Sequence, residues 1–177
     1  MANTNTLLEP GFAKDPPVKL NVNAKILGLV IAILAVIGAV FGGLVGGLVA
    51  VFGFAGGFQA LWGLGIIIGL VADIMAAIGG FRMYQLDRSG KPLVIYGVAL
   101  ALIGAVVGLI GNIVAYSGIY AIGYSAAGAI VGLIIDLIIY FIVYYLVIIS
   151  RFPGDSPLVA RQSGGYGSPP PPPPPPA

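Results

Sequence analysis

The chain has 177 residues, of which 59% are hydrophobic and only 8% charged, and its mean hydropathy is +1.06. A soluble domain carries roughly a quarter charged residues, so this composition points to lipid as the main solvent. The net charge is +2, and histidine and cysteine are both absent. That excludes disulfides, thiol catalysis, thiolate metal sites and imidazole bases.

Residues 1–24 read as a polar arm containing Lys14, Pro16, Pro17 and Lys19, disordered or loosely held. The apolar run that follows is about twice the length of a signal h-region, so an uncleaved anchor is expected. Residues 25–151 form the expected transmembrane domain. Its spans are 26–54, 58–83, 93–116 and 119–149. Each exceeds the roughly 20 residues needed to cross about 30 Å of hydrocarbon. The alternating segments of about 10 residues that a membrane β-barrel needs are missing. The expected fold class is therefore all-α, a bundle of four transmembrane helices. The links at 55–57 and 117–118 are short enough to force antiparallel hairpins. Pro92 suits the first turn of the third helix, where its missing N–H is no loss.

All eight basic residues fall in three places. Lys14, Lys19 and Lys25 precede the first helix, Arg82, Arg88 and Lys91 surround the middle link, and Arg151 and Arg161 follow the fourth helix. Four spans put these places on one side, and the positive-inside rule makes that side the cytoplasm. A bacterial inner membrane with both termini cytoplasmic is the expected location. Aromatic residues such as Phe58, Trp62, Tyr96 and Tyr145 lie near the span ends, where rings favour the headgroup zone. Residues 152–177 form a second polar tail ending in the proline run Pro169–Pro176. That run is expected to extend as polyproline II, about 25 Å at 3.1 Å per residue. It reads either as a stiff solvated tail or as a docking peptide for a polyproline-binding protein.

Gly65, Gly69 and Asp73 are spaced by four in the second helix, and Gly128, Gly132 and Asp136 repeat the pattern in the fourth. The first and third helices share Ile-Gly-Ala-Val at residues 37–40 and 103–106. These matches suggest two duplicated hairpins in parallel orientation, related by a pseudo-two-fold along the membrane normal. Gly38, Gly42 and Gly46 form one stripe of the first helix. Small residues at this spacing let helix backbones approach closely in lipid. They serve either packing within the bundle or self-association into a homo-oligomer.

Asp73 lies nine residues before Arg82, roughly 13 Å along a helix, and Asp136 fifteen before Arg151, roughly 22 Å. The two depths come closer if the second helix continues to Asp87. Apart from Arg82 at the inner end of the second span, no Lys, Arg or His stands within a span to neutralise either acid. A charged aspartate at mid-bilayer costs roughly 2.5–3.5 kcal/mol on insertion scales, so the protonated acid is the cheaper form. Tyr140 and Tyr144 continue the Asp136 face, and Asn112 adds a polar group in the third helix. One reading is an interhelical clasp of hydrogen bonds, which asparagine would preserve and leucine disrupt. The other is a proton or cation site, the default for an intramembrane acid.

Paired hairpins with a glycine-rich first helix and a carboxylate in the second resemble the proteolipid rotor subunits of rotary ATPases. The resemblance makes Asp73 and Asp136 the matching acids and Gly38–Gly47 the matching stripe. Two features depart from that family. The tips at 55–57 and 117–118 lack its polar loop, and the basic residues place those tips outside. The expected function is a scaffold or accessory subunit of a membrane assembly. The alternative is a small proton- or cation-conducting channel or carrier using Asp73 and Asp136. Nucleophile, base and phosphate-binding motifs are missing, so no enzyme activity, no cofactor and no nucleic-acid partner is expected.

Overall fold

The computed structural model describes residues 8, 10–13, 16–18, 20–48, 60–116 and 122–155. The two hairpin tips and the proline run lie outside the described residues. The described chain is an all-α bundle: α1 (Ala24–Gly38), α2 (Ala60–Tyr84), α3 (Gly90–Tyr116) and α4 (Ile122–Ile149). Four helical stretches, Ala24–Leu48, Leu61–Tyr84, Gly90–Val114 and Gly128–Ile149, are long and apolar enough to cross a membrane. The first includes a π-helical continuation of α1 over Ala39–Val45 and a last turn to Leu48.

The helices pack in chain order. α2 against α3 is the most extensive contact, α1–α2 and α3–α4 follow, and α1 barely touches α4. Small residues explain the α2–α3 seam. Gly90, Val94, Gly97, Ala101, Gly104, Gly108 and Gly111 alternate steps of four and three along α3, the spacing that keeps one stripe facing a partner helix. A Cβ on Gly97 would lie 3.0 Å from Ala72 O, and one on Gly104 would lie 3.1 Å from Gly65 O. Reciprocally, a Cβ on Gly65 would lie 2.7 Å from the Cα of Gly108. Backbone meets backbone along the seam, the close approach that stabilises helix pairs in lipid by dispersion.

α2 ends at Tyr84 and does not run on to Asp87. Leu86 adopts a positive φ of 65°. Asp87 N donates to Arg82 O and Leu86 N to Met83 O, the paired bonds of a Schellman C-cap. Asp87 then takes over the next turn. Its Oδ1 accepts from Ser89 N at 2.9 Å and its Oδ2 from Ser89 Oγ at 2.6 Å. α3 consequently begins at Gly90, earlier than the apolar pattern suggests, with Pro92 in its first turn.

The two chain segments flanking the bundle converge on this link. Asn23 caps α1 by accepting from Lys25 N, and it bridges to Arg151 just after α4. Ala24 N donates to Arg151 O and Arg151 N to Val22 O, both at 2.9 Å. Arg88 pairs with Asp155 at 2.7 Å, and Lys91 Nζ donates to Ile148 O at 2.7 Å, satisfying a carbonyl at the C-terminal end of α4. Part of the N-terminal arm makes contacts here. Phe12 stacks on Tyr145 with ring centroids 5.7 Å apart. The Tyr145 hydroxyl donates to Val18 O and accepts from Val18 N. An apolar ring amid a polar arm supplies the anchor that the arm's composition conceals.

The core lies at this link end. Ala24, Ile31, Met83, Val94, Ile95, Val147, Ile148 and Phe152 form one buried cluster.

Candidate functional site

The acids sit at similar depth. Asp73 precedes the end of α2 at Tyr84 by eleven residues, about 16 Å, and Asp136 precedes Ile149 by thirteen, about 20 Å, at 1.5 Å per residue. α2 and α4 make no substantial contact with each other. Even so, Asp73, Asp136 and Tyr140 all line one cavity of about 230 Å³ among the four helices.

Helical geometry aims these side chains. Trp62, Ile66, Gly69 and Asp73 follow steps of four, three and four, and all four line the cavity. Steps of four alone drift by about 40° each, so Gly65 turns into the α3 seam while Asp73 turns toward α1. There Gly38 meets it: a Cβ on Gly38 would lie 2.8 Å from Asp73 Oδ2. Gly38 thus provides the room in which the carboxylate sits. On α4, Asp136 and Tyr140 are one turn apart and share the cavity.

Two more cavities adjoin it. One of about 210 Å³ extends toward the link end and shares Asp73, Ala101 and Tyr140. One of about 160 Å³ extends toward the opposite, far end, shares Trp62 and Asp136, and adds Asn112 and Gly132. The four polar residues singled out within the spans therefore border neighbouring cavities that share lining residues. Among the described residues, no hydrogen bond joins Asp73, Asp136, Asn112 and Tyr140 to one another. Asn112 Oδ1 is buried without a partner. The geometry is that of polar groups bordering neighbouring spaces.

The glycines divide. Gly38 and Gly65 meet neighbouring helices, whereas a Cβ on Gly42, Gly69, Gly128 or Gly132 would meet nothing within 4 Å. Gly46 meets only Phe41 O of its own helix, at 3.9 Å. The π-helical stretch accounts for Gly42. A π turn takes one extra residue, which rotates the following stripe by about 100°. The inward line of Gly28, Ile31, Ala35 and the half-buried Gly38 therefore continues at Gly43, which is buried, and not at Gly42, which is exposed. Gly128 and Gly132 lack neighbours because α4 stands away from α1, where a two-fold relation would bring a seam like α2–α3. Sequence reasoning placed Trp62 only as a ring at a span end and Gly43 only beside the stripe, and it passed over the α3 stripe. The four-three alternation of small residues along α3 was the available signal for the last.

Compared with models of known families, with curated proteins and with solved structures, the chain shows no match.

Proposed function

We propose that this is a multi-pass membrane protein that takes up a proton or a small cation at Asp73 and Asp136. One observation carries the reading: two acids from helices that scarcely touch line a single cavity with Tyr140, and no basic side chain lines it with them. A carboxylate pair in such a space gains from sharing a proton or a cation. The packed link end favours a carrier or a binding protein over an open pore. We place the membrane by the clustering of Lys25, Arg82, Arg88, Lys91 and Arg151 at the link end, which the positive-inside rule assigns to the cytoplasm. Both termini are then cytoplasmic, in a bacterial inner membrane. The fourfold-spaced motifs at Asp73 and Asp136 favour descent from a duplicated hairpin.

The test is ion- or pH-sensitive flux in proteoliposomes, wild type beside the double variant Asp73→Asn and Asp136→Asn. Asparagine keeps the shape and cannot ionise. The reading expects a well-folded double variant without flux. Equal flux from both proteins, or none from wild type across several ions and both pH gradients, overturns it.

A second reading, a scaffold or accessory subunit, is favoured by Gly46 and Gly128. These glycines have no neighbour from another helix and leave room for a partner helix or a second copy of this chain. The proline tail then supplies a docking peptide for a polyproline-binding protein. Co-purification after mild detergent extraction tests it: recovery of the chain alone as a monomer counts against a scaffold.

A further inference from the structure

Burial is distributed unevenly along the bundle. Among the described residues, every buried hydrophobic side chain lies level with Asp73 or toward the link end: Met83, Val94, Ile95 and Val147 are each at most 1% exposed. Beyond the level of Ala72 and Ala101, the buried positions are glycines only, at 43, 65, 104 and 111. The link end is closed by this side-chain cluster, with cavities of about 210 and 320 Å³ between it and the level of the acids, and the far half is held by backbone contacts between α2 and α3. The cavity in that half carries Asn112 and Asp136. Asn112 Oδ1 is buried and unpartnered, a loss of about 1–3 kcal/mol unless a polar partner reaches it. A polar site of about 160 Å³ has room for several waters at about 30 Å³ each.

We propose that the far half forms a one-sided aqueous vestibule. Water enters past Trp62 and Asn112, reaches Asp136 and then Asp73, and stops at the link-end core. Protons or small cations exchange with the two acids from the far face only. This inference rests on the ion-site reading above and adds the side from which the site is served.

The absence of cysteine allows a direct test in the full chain. Ala129→Cys and Leu133→Cys place thiols on the vestibule wall. Ile134→Cys places one on the outer surface of the same helix, where Ile134 is 54% exposed and lipid would cover it. Gln85→Cys marks the link side. A membrane-impermeant thiol reagent is applied to one face at a time, with the protein reconstituted in a known orientation. Only the thiolate reacts, and apolar surroundings suppress it, so vestibule thiols are expected to react at least about tenfold faster than Ile134→Cys. They should do so from the face opposite Gln85→Cys and not from the face that labels it. Labelling of the wall thiols from the Gln85 side, from both sides, or no faster than Ile134→Cys overturns the proposal. Two wall positions guard against one variant misfolding. A loss of flux on the asparagine substitutions would not be affected by these outcomes, so the two readings fail separately.

Discussion

Gly28 of α1 and Gly80 of α2 meet backbone to backbone. A Cβ on Gly28 would lie 2.6 Å from Gly80 O, and a Cβ on Gly80 would lie 2.7 Å from Gly28 O. Neither neighbour is a flexible side chain that can yield, so a single methyl must push the helices apart. Gly28→Ala or Gly80→Ala is expected to cost about 1–3 kcal/mol, the usual range for overpacking. Thermal unfolding in detergent measures it. A neutral result at both positions would mean that the helices cross less closely than this.

The register shift in α1 gives a paired test. A Cβ on Gly43 would lie 3.0 Å from the Cβ of Leu70, whereas one on Gly42 would meet nothing. Gly43→Leu is therefore expected to destabilise the bundle by about 1–3 kcal/mol. Gly42→Leu should change its stability by no more than about 0.5 kcal/mol. The reverse order would show that α1 runs through as a regular α-helix.

The four helices could be read from the sequence because length and hydropathy alone determine them. The placement of Gly42 could not. It depends on one extra residue in a π turn, and Gly-rich apolar sequence gives no local mark of that. The position of Asp73 on an interior face was legible through its rare charge. That it shares a cavity with Asp136 was not, because the pairing depends on how α1 and α4 fail to close. The hold on the arm was hidden for a similar reason: Phe12 meets Tyr144 and Tyr145, far away in sequence, only in the fold.

The α2 cap is open to improvement. Leu86 occupies the left-handed position that glycine normally fills, at φ 65°, and its side chain is 40% exposed. The left-handed conformation costs a residue with a Cβ about 1–2 kcal/mol, and glycine's extra freedom when unfolded returns part of that. Leu86→Gly should raise stability by about 0.5–1 kcal/mol, while Leu86→Ala should not. A lower melting temperature for Leu86→Gly would mean that the leucine side chain contributes packing.

Asp87 should make the link sensitive to acid. Its carboxyl is held below the ordinary value of 3.8 by the hydrogen bond from the Ser89 side chain, then by that from the Ser89 backbone, with attraction from Arg82 added. A folded-state value below the unfolded one means that the stabilisation is fully present above pH 3.8. It is lost as pH falls through the lower folded value. Unfolding followed between pH 5 and pH 2 should therefore steepen in wild type and flatten in Asp87→Asn. Identical curves would show that the Asp87–Ser89 turn does not survive in solution.

Leucine at the acid sites separates a clasp from a facing pair. A clasp predicts that leucine breaks the bundle, because partners lose their hydrogen bonds. In the structure neither acid has such a partner among the others, and both border a cavity of about 230 Å³. Replacing Asp136 with leucine removes a half-buried polar group that makes no hydrogen bond to Asp73, Asn112 or Tyr140 and adds apolar volume where there is room. A gain of about 1 kcal/mol would raise the apparent melting temperature by about 2–4 °C for a chain of this size. Asp136→Leu should thus be at least as stable as wild type in detergent, with Asp136→Asn close to wild type. Ion or proton uptake should be lost in both. Asp73→Leu is a less open case, since Gly38 packs directly on that carboxylate, and it should gain less than Asp136→Leu. A fall of several degrees for Asp136→Leu, with asparagine tolerated, would restore the clasp and remove the reason for treating the cavity as an ion site.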